Sequence, residues 1–217
     1  MIRTLAVAAL VAATTGAPPP VAQAQERDEQ GLRYLAVGPF VELTARGARG
    51  ELPAPEGSVP DEFRFGDGPA FGVRLHWWST PTFGLAVQGS FGRASHCVSG
   101  DVRFCTHGQV SLWRGVAELT PKVKARVPGY FIAGGGVTWV DPDDDEEVRR
   151  LGFWAPAHAE VTLTAGAGLD LRTGRRGAAR VEFRWYVTLP QDQEELVPRM
   201  NSRQTDFAFG VGYMLRL

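Results

Sequence analysis

Large apolar residues recur at every second position through eight stretches of the chain. The last is the clearest: Phe207, Phe209, Val211, Tyr213, Leu215 and Leu217 alternate with Ala208, Gly210, Gly212, Met214 and Arg216. A period of two puts the first set on one face of a strand and the second set on the other. The same parity runs through Leu35 to Thr44 (Leu35, Val37, Val41, Leu43, with Phe40 out of step), Phe71 to Trp78 (Phe71, Val73, Leu75, Trp77) and Phe83 to Arg93 (Leu85, Val87, Phe91). Val161 to Leu171 sets Val161, Leu163, Ala165, Ala167, Leu169 and Leu171 against threonines, glycines and Asp170. Val181, Phe183, Trp185 and Val187 oppose Arg180, Glu182, Arg184 and Tyr186, and Tyr130 to Trp139 offers Phe131, Ala133, Val137 and Trp139 as its apolar face. Val110 to Thr120 is mixed, because Leu112 and Val116 share a face with Arg114 and Glu118, opposite Trp113, Ala117 and Leu119. Pro39 predicts a bulge or an early break in the first strand, since proline brings no N–H to a ladder.

The connections between these stretches alternate in length. Residues 46–68, 94–108, the segment opening with the acidic run Asp141–Glu147, and 190–203 are long; Ser79–Thr82, Pro121–Val127 and Thr173–Gly177 are short. Each stretch is about as long as the roughly 9–11 residues that a tilted strand needs to cross a bilayer. The pattern predicts an all-β fold, an eight-stranded antiparallel up-and-down transmembrane β-barrel, with short turns on the periplasmic side and long loops outside.

The N-terminus adds a compartment. Arg3 precedes an apolar run from Leu5 to Ala13, and Ala22-Gln23-Ala24 forms a small-residue site that favours cleavage before Gln25. We read residues 1–24 as a signal peptide and 25–217 as one domain, with Gln25–Gln30 a solvated leader. A net charge of −1 gives no reason to expect nucleic acid, and after residue 24 no apolar run reaches the length of a spanning helix.

The closing strand, alternate apolar residues with an aromatic near a hydrophobic final residue, resembles the C-terminal β-signal of bacterial outer-membrane barrels. It ends in Leu217 where that family more often has Phe or Trp. The resemblance to the small eight-stranded members, such as the membrane domain of OmpA and OmpX, extends over the whole chain after residue 24. It rests on strand order together with Pro128-Gly-Tyr130 ahead of a Gly-rich strand, Gly166-x-Gly168-x-Asp170 and Glu182-x-Arg184. It implies residence in the cell outer membrane, contact with outer-membrane lipid and lipopolysaccharide, and recognition by the outer-membrane assembly machinery. The large peptidoglycan-binding domain of some relatives is not expected after the last strand.

Within such a barrel Glu42, Arg74, Arg114, Glu118, Asp170, Glu182 and Arg184 would point into the lumen and should pair, since isolated buried charges are costly. An eight-stranded barrel is just wide enough for side chains to fill it. A packed ionic interior is therefore expected in place of an open pore. Cys97 and Cys105, in an exported chain, predict a disulfide. With His96 and His107 they also supply a zinc ligand set, but at poor spacing. The acidic run at 141–147 lacks the Gly and spacing of a calcium loop and reads as solvated, with loose divalent bridging to lipopolysaccharide phosphates as the alternative.

Gly134-Gly-Gly136 and Gly210-x-Gly212 read as places where larger side chains would not fit inside the barrel. Lys122, Lys124, Arg126, Arg172, Arg175 and Arg176, in the short connections, suggest either plain solvation or an anionic partner. His158-Ala-Glu160 and Ser95-His96 are the candidates for catalysis, and neither comes with a convincing nucleophile and base on one lipid-facing strand.

The expected role is structural or surface interaction through the long loops, with an unknown extracellular ligand there and no cofactor. The alternatives are a soluble exported barrel that binds a small apolar ligand, or an outer-membrane lipid-modifying enzyme. Against the soluble barrel, Trp77, Phe83, Phe131, Trp139, Trp185 and Tyr213 sit on the apolar face near strand ends, as interfacial aromatic girdles do.

Overall fold

A computed structural model describes residues 34–51, 62–99, 103–123, 129–142, 157–174, 176–189, 199–200 and 203–217. Residues 1–33, which include the expected signal peptide and leader, Lys124, Arg126, Arg175, residues 143–147 of the acidic run and most of the segment 190–203 lie outside the described residues.

The described residues form strands and no helix: β1 (Tyr34–Arg46), β2 (Ala48–Glu51), β3 (Glu62–Phe65), β4 (Gly68–Thr80), β5 (Phe83–Ser99), β6 (Arg103–Val123), β7 (Gly129–Pro142), β8 (His158–Arg172), β9 (Gly177–Leu189), β10 (Arg199–Met200) and β11 (Gln204–Arg216). The eight long strands pair in the ring β1–β4–β5–β6–β7–β8–β9–β11, and β11 returns to β1. Every pairing is antiparallel. This is a closed eight-stranded antiparallel barrel. Closure removes the unpaired edges that an open sheet would expose.

Two ends follow from the connections. The start of β1, the end of β11 and the tight turns lie together at one of them, the turn end, where the Leu217 amide donates to the Leu35 carbonyl at 2.8 Å and that of Arg216 to Arg176 at 2.8 Å. At the other, the loop end, the ladder runs further than the apolar pattern predicts. Residues 46–68 were expected to be a loop, but β2 and β3 lie within them; β2 pairs with both β3 and β10, and β3 with the far end of β5. The expected loop 94–108 is largely a continuation of the β5–β6 hairpin, with Val98 opposite Phe104. Beyond the apolar band the backbone stays paired while the period-two alternation that announces a strand lapses in the sequence.

Pro39 produces neither the bulge nor the break expected of it. Its register with Val73 of β4 is unbroken, and on the β11 side only the Gly38 and Pro39 pairs drop out between Val37↔Leu215 and Phe40↔Gly212. Pro121, expected in a connection, is paired with Phe83 inside β6.

Parity decides which residues are buried. On β6, Val110, Leu112, Val116, Glu118 and Thr120 are buried and Trp113, Ala117 and Leu119 exposed, which resolves the mixed stretch. The interior holds no single apolar core. A small cluster of Phe65, Ala94, Val110, Leu112 and Val140 lies toward the loop end, and Trp78, Tyr130 and Ile132, with Tyr34 against them, toward the turn end. Polar side chains occupy the space between.

Candidate functional site: the filled lumen and the apolar wall

The lumen network begins with Glu182, which β9 aims inward between Arg180 and Arg184. Its carboxylate accepts from Arg74 of β4, from Arg184 Nε at 3.0 Å and from the Tyr130 hydroxyl at 2.5 Å. Arg184 also reaches Glu118 of β6 with both terminal nitrogens, the longer bond being 3.1 Å. Arg74 and Arg184 are 2% and 1% exposed, so these are desolvated pairs whose charges have no water to fall back on. Arg74 further donates to Gln88 through Nε at 3.1 Å, and Gln88 Nε2 donates to the Tyr186 hydroxyl at 3.2 Å.

Tyr186 links this group to a second one nearer the loop end. Its hydroxyl donates to Glu42 at 3.1 Å, and its ring lies 3.8 Å beneath the Arg114 guanidinium. Arg114 stands 3.7 Å from Glu42 and 3.3 Å from Asp206. Toward the turn end Asp170 accepts two bonds from Arg180, at 2.7 and 3.0 Å. Arg180 then donates to His76 Nδ1 at 2.9 Å; a guanidinium can only donate, so Nδ1 accepts and Nε2 carries the hydrogen given to Thr120 at 2.8 Å. The His76 ring stacks on Trp78 at 4.2 Å.

Glu42, Arg74, Arg114, Glu118, Asp170, Glu182 and Arg184 all take part in these contact chains. Arg180, Asp206, Arg46 and Glu160, which are buried, were missing from that set. Arg180 could have been found from sequence, since it holds the inward parity of Glu182 and Arg184 on β9. Asp206 and Arg46 sit just past the apolar stretches, where parity alone no longer separates lumen from solvent. Space for the large rings comes from glycines. A Cβ on Gly168 would meet the Tyr130 ring at 2.4 Å, and one on Gly72 the Phe40 ring at 2.4 Å. The reading of Gly134 and Gly136 changes: their Cβ atoms would strike the backbone of the neighbouring strand, at the Ala117 and Gly115 carbonyl oxygens, rather than lumen side chains.

The outer wall is apolar. Phe207, Phe209, Val211, Tyr213, Leu215 and Leu217 are all exposed, as are Phe71, Leu75, Val87, Leu163 and Phe183 on other strands. Trp77, Phe83, Phe131 and Tyr213 lie nearer the turn end, Trp113, Trp139 and Trp185 nearer the loop end, all outward.

Cys97 and Cys105 stand directly opposite each other on β5 and β6, and no described cysteine is free. The side chains of His96 and His107 lie outside the described residues. Among the described residues no group of three or more His, Cys, Asp or Glu gathers as a metal site. His158 and Glu160 contact each other at 3.0 Å on β8, while Ser95 lies on β5, three places round the ring.

A closed eight-stranded ring, charged inside and apolar outside, defines the architecture of the small outer-membrane β-barrels. The chain shares this fold with the outer membrane protein OprG of Pseudomonas aeruginosa, at a TM-score of 0.55 and 10% identity, over 85% of this chain and 95% of that one. It also matches the outer membrane protein AlkL, at a TM-score of 0.52 and 14% identity, over 87% of this chain and 91% of that one. No family model matches the sequence, and no curated protein does.

Proposed function

We propose that this chain resides in a bacterial outer membrane as a closed barrel that does not conduct solutes, and that it acts as a structural or surface-interaction protein through its loop end. The observation that carries the reading is the direction of the pattern. Apolar side chains cover the wall and charged pairs fill the centre, the reverse of a soluble ligand-binding barrel, in which the apolar face lines the cavity. Such a wall has no favourable environment in water, because exposed apolar patches of this extent are found where a protein meets another surface or a membrane. Removal of residues 1–24, passage to the periplasm, and use of Phe207 to Leu217 as the assembly signal belong to the same reading.

Cell fractionation tests it. The mature protein should pellet with outer membranes and require detergent for extraction. Recovery in the soluble periplasm without detergent would leave the soluble barrel as the better account.

A further inference from the structure

The turn end of the barrel is indented. A cavity of about 50 Å³ lies there between Tyr34, Trp78, Arg172, Arg176, Arg180 and Arg216. These residues come from β1, β4, β8, β9 and β11 and the β8–β9 turn, so the site is assembled by closure of the ring and is not a local sequence motif. Four guanidinium groups line it against one side-chain carboxylate, Asp170, which is already engaged twice by Arg180. A further cation stands beside it, as Lys122 Nζ lies 4.0 Å from the Trp78 ring. Arg216 is spread over the Tyr34 ring at 4.0 Å, and among the described residues neither Arg216 nor Arg176 pairs with a carboxylate.

Positive charges gathered round a concave opening repel one another unless an anion sits among them. Guanidinium groups present a planar fork of donors that matches phosphate and carboxylate oxygens. A void needs roughly 10–15 Å³ to hold one water, so this one admits a single anionic group while the rest of a ligand stays outside. The geometry points to a binding site for a terminal phosphate. Two guanidinium groups, Arg176 and Arg216, that pair with no carboxylate among the described residues favour a dianion over a monocarboxylate. A lipid headgroup and a free phosphate share that chemistry. On the function proposed above the site faces the periplasm, but binding in a micelle does not depend on that orientation, so the two readings can fail separately.

The test uses the whole protein refolded in a zwitterionic detergent and titrated calorimetrically with inorganic phosphate, with glycerol 3-phosphate and with acetate. Saturable binding of one equivalent of either phosphate is expected, weakening as salt rises, with acetate at least tenfold poorer. The double variant Arg176→Gln/Arg216→Gln should lose at least tenfold in affinity, while Arg93→Gln, near the loop end, should leave it unchanged. Folding of each variant is checked by its heat-dependent migration in SDS, and the single variant Arg176→Glu, at an exposed turn position, gives the same readout should the double variant not fold. A short-chain phosphatidic acid added to the micelles separates the sources: tighter binding than inorganic phosphate indicates a headgroup, equal binding a free phosphate. Absence of saturable phosphate binding, equal affinity in the arginine variants, or acetate binding as well as phosphate would overturn the proposal.

Discussion

At the scale of single residues the lumen is governed by the cost of leaving a buried charge alone. Arg184 bridges Glu118 and Glu182, and each of these three side chains is almost wholly buried. We predict that Arg184→Leu destabilises the folded barrel by about 3–5 kcal/mol, because two carboxylates lose a desolvated partner. The double change Arg184→Leu/Glu118→Leu should recover most of that loss, since Glu182 keeps Arg74. Urea titration of the barrel in lipid vesicles would measure both, and a double variant no more stable than the single one would mean that packing of the Arg184 stem, not its charge, is what matters. The inward charges were legible in the sequence because each sits on the face opposite a run of apolar residues. Their partners were not, because Glu182 meets Arg74 from a strand 108 positions away.

At the scale of one strand the issue is which face meets lipid. Val211 is 43% exposed on β11 and Met214 only 5%. Val211→Arg places a charge near the middle of the apolar band, at a cost of about 2–4 kcal/mol, whereas Met214→Gln stays on the inward face and should be mild. The fraction folding into liposomes and resisting SDS at room temperature compares them, and equal tolerance would show that the odd face does not touch lipid. The β5–β6 hairpin makes a separate prediction. Its two cysteines face each other across the ladder, so the protein isolated without reductant should lack two hydrogens by mass spectrometry and contain no alkylatable thiol. The link closes a loop short enough to contribute roughly 2–3 kcal/mol in the chain-entropy account. Two freely alkylating thiols would exclude it.

For the molecule as a whole the question is whether the barrel has a passage. Trp78, Tyr130, Tyr186, Arg74, Arg184 and His76 are fully buried in its interior, and bonds cross the lumen between strands on opposite sides of the ring, Gln88 of β5 to Tyr186 of β9 and Arg114 of β6 to Asp206 of β11. In an eight-stranded barrel that filling leaves little cross-section for a solute. Planar bilayers containing the purified protein should accordingly show no steady, large conductance at modest voltage. Reproducible open channels would require the Arg74–Glu182–Arg184 bridge to part, and would replace the closed barrel with a gated one.

The alternation of apolar and polar residues was enough to read the eight barrel strands, their inward and outward faces and the closed fold, because a period of two is a local property that each strand carries without knowing its neighbours. It missed the ladder beyond the apolar band, as at Val98 and Phe104, where the apolar alternation lapses while the backbone pairing continues. Which charge meets which came from the folded ring alone. Arg114 reaches Glu42 and Asp206, and Asp170 takes Arg180, because ring closure and stagger set the height of each side chain in the lumen, and neither is written in any one strand. The arginine-lined indentation at the turn end arises in the same way, from five strands that become neighbours only when β11 returns to β1.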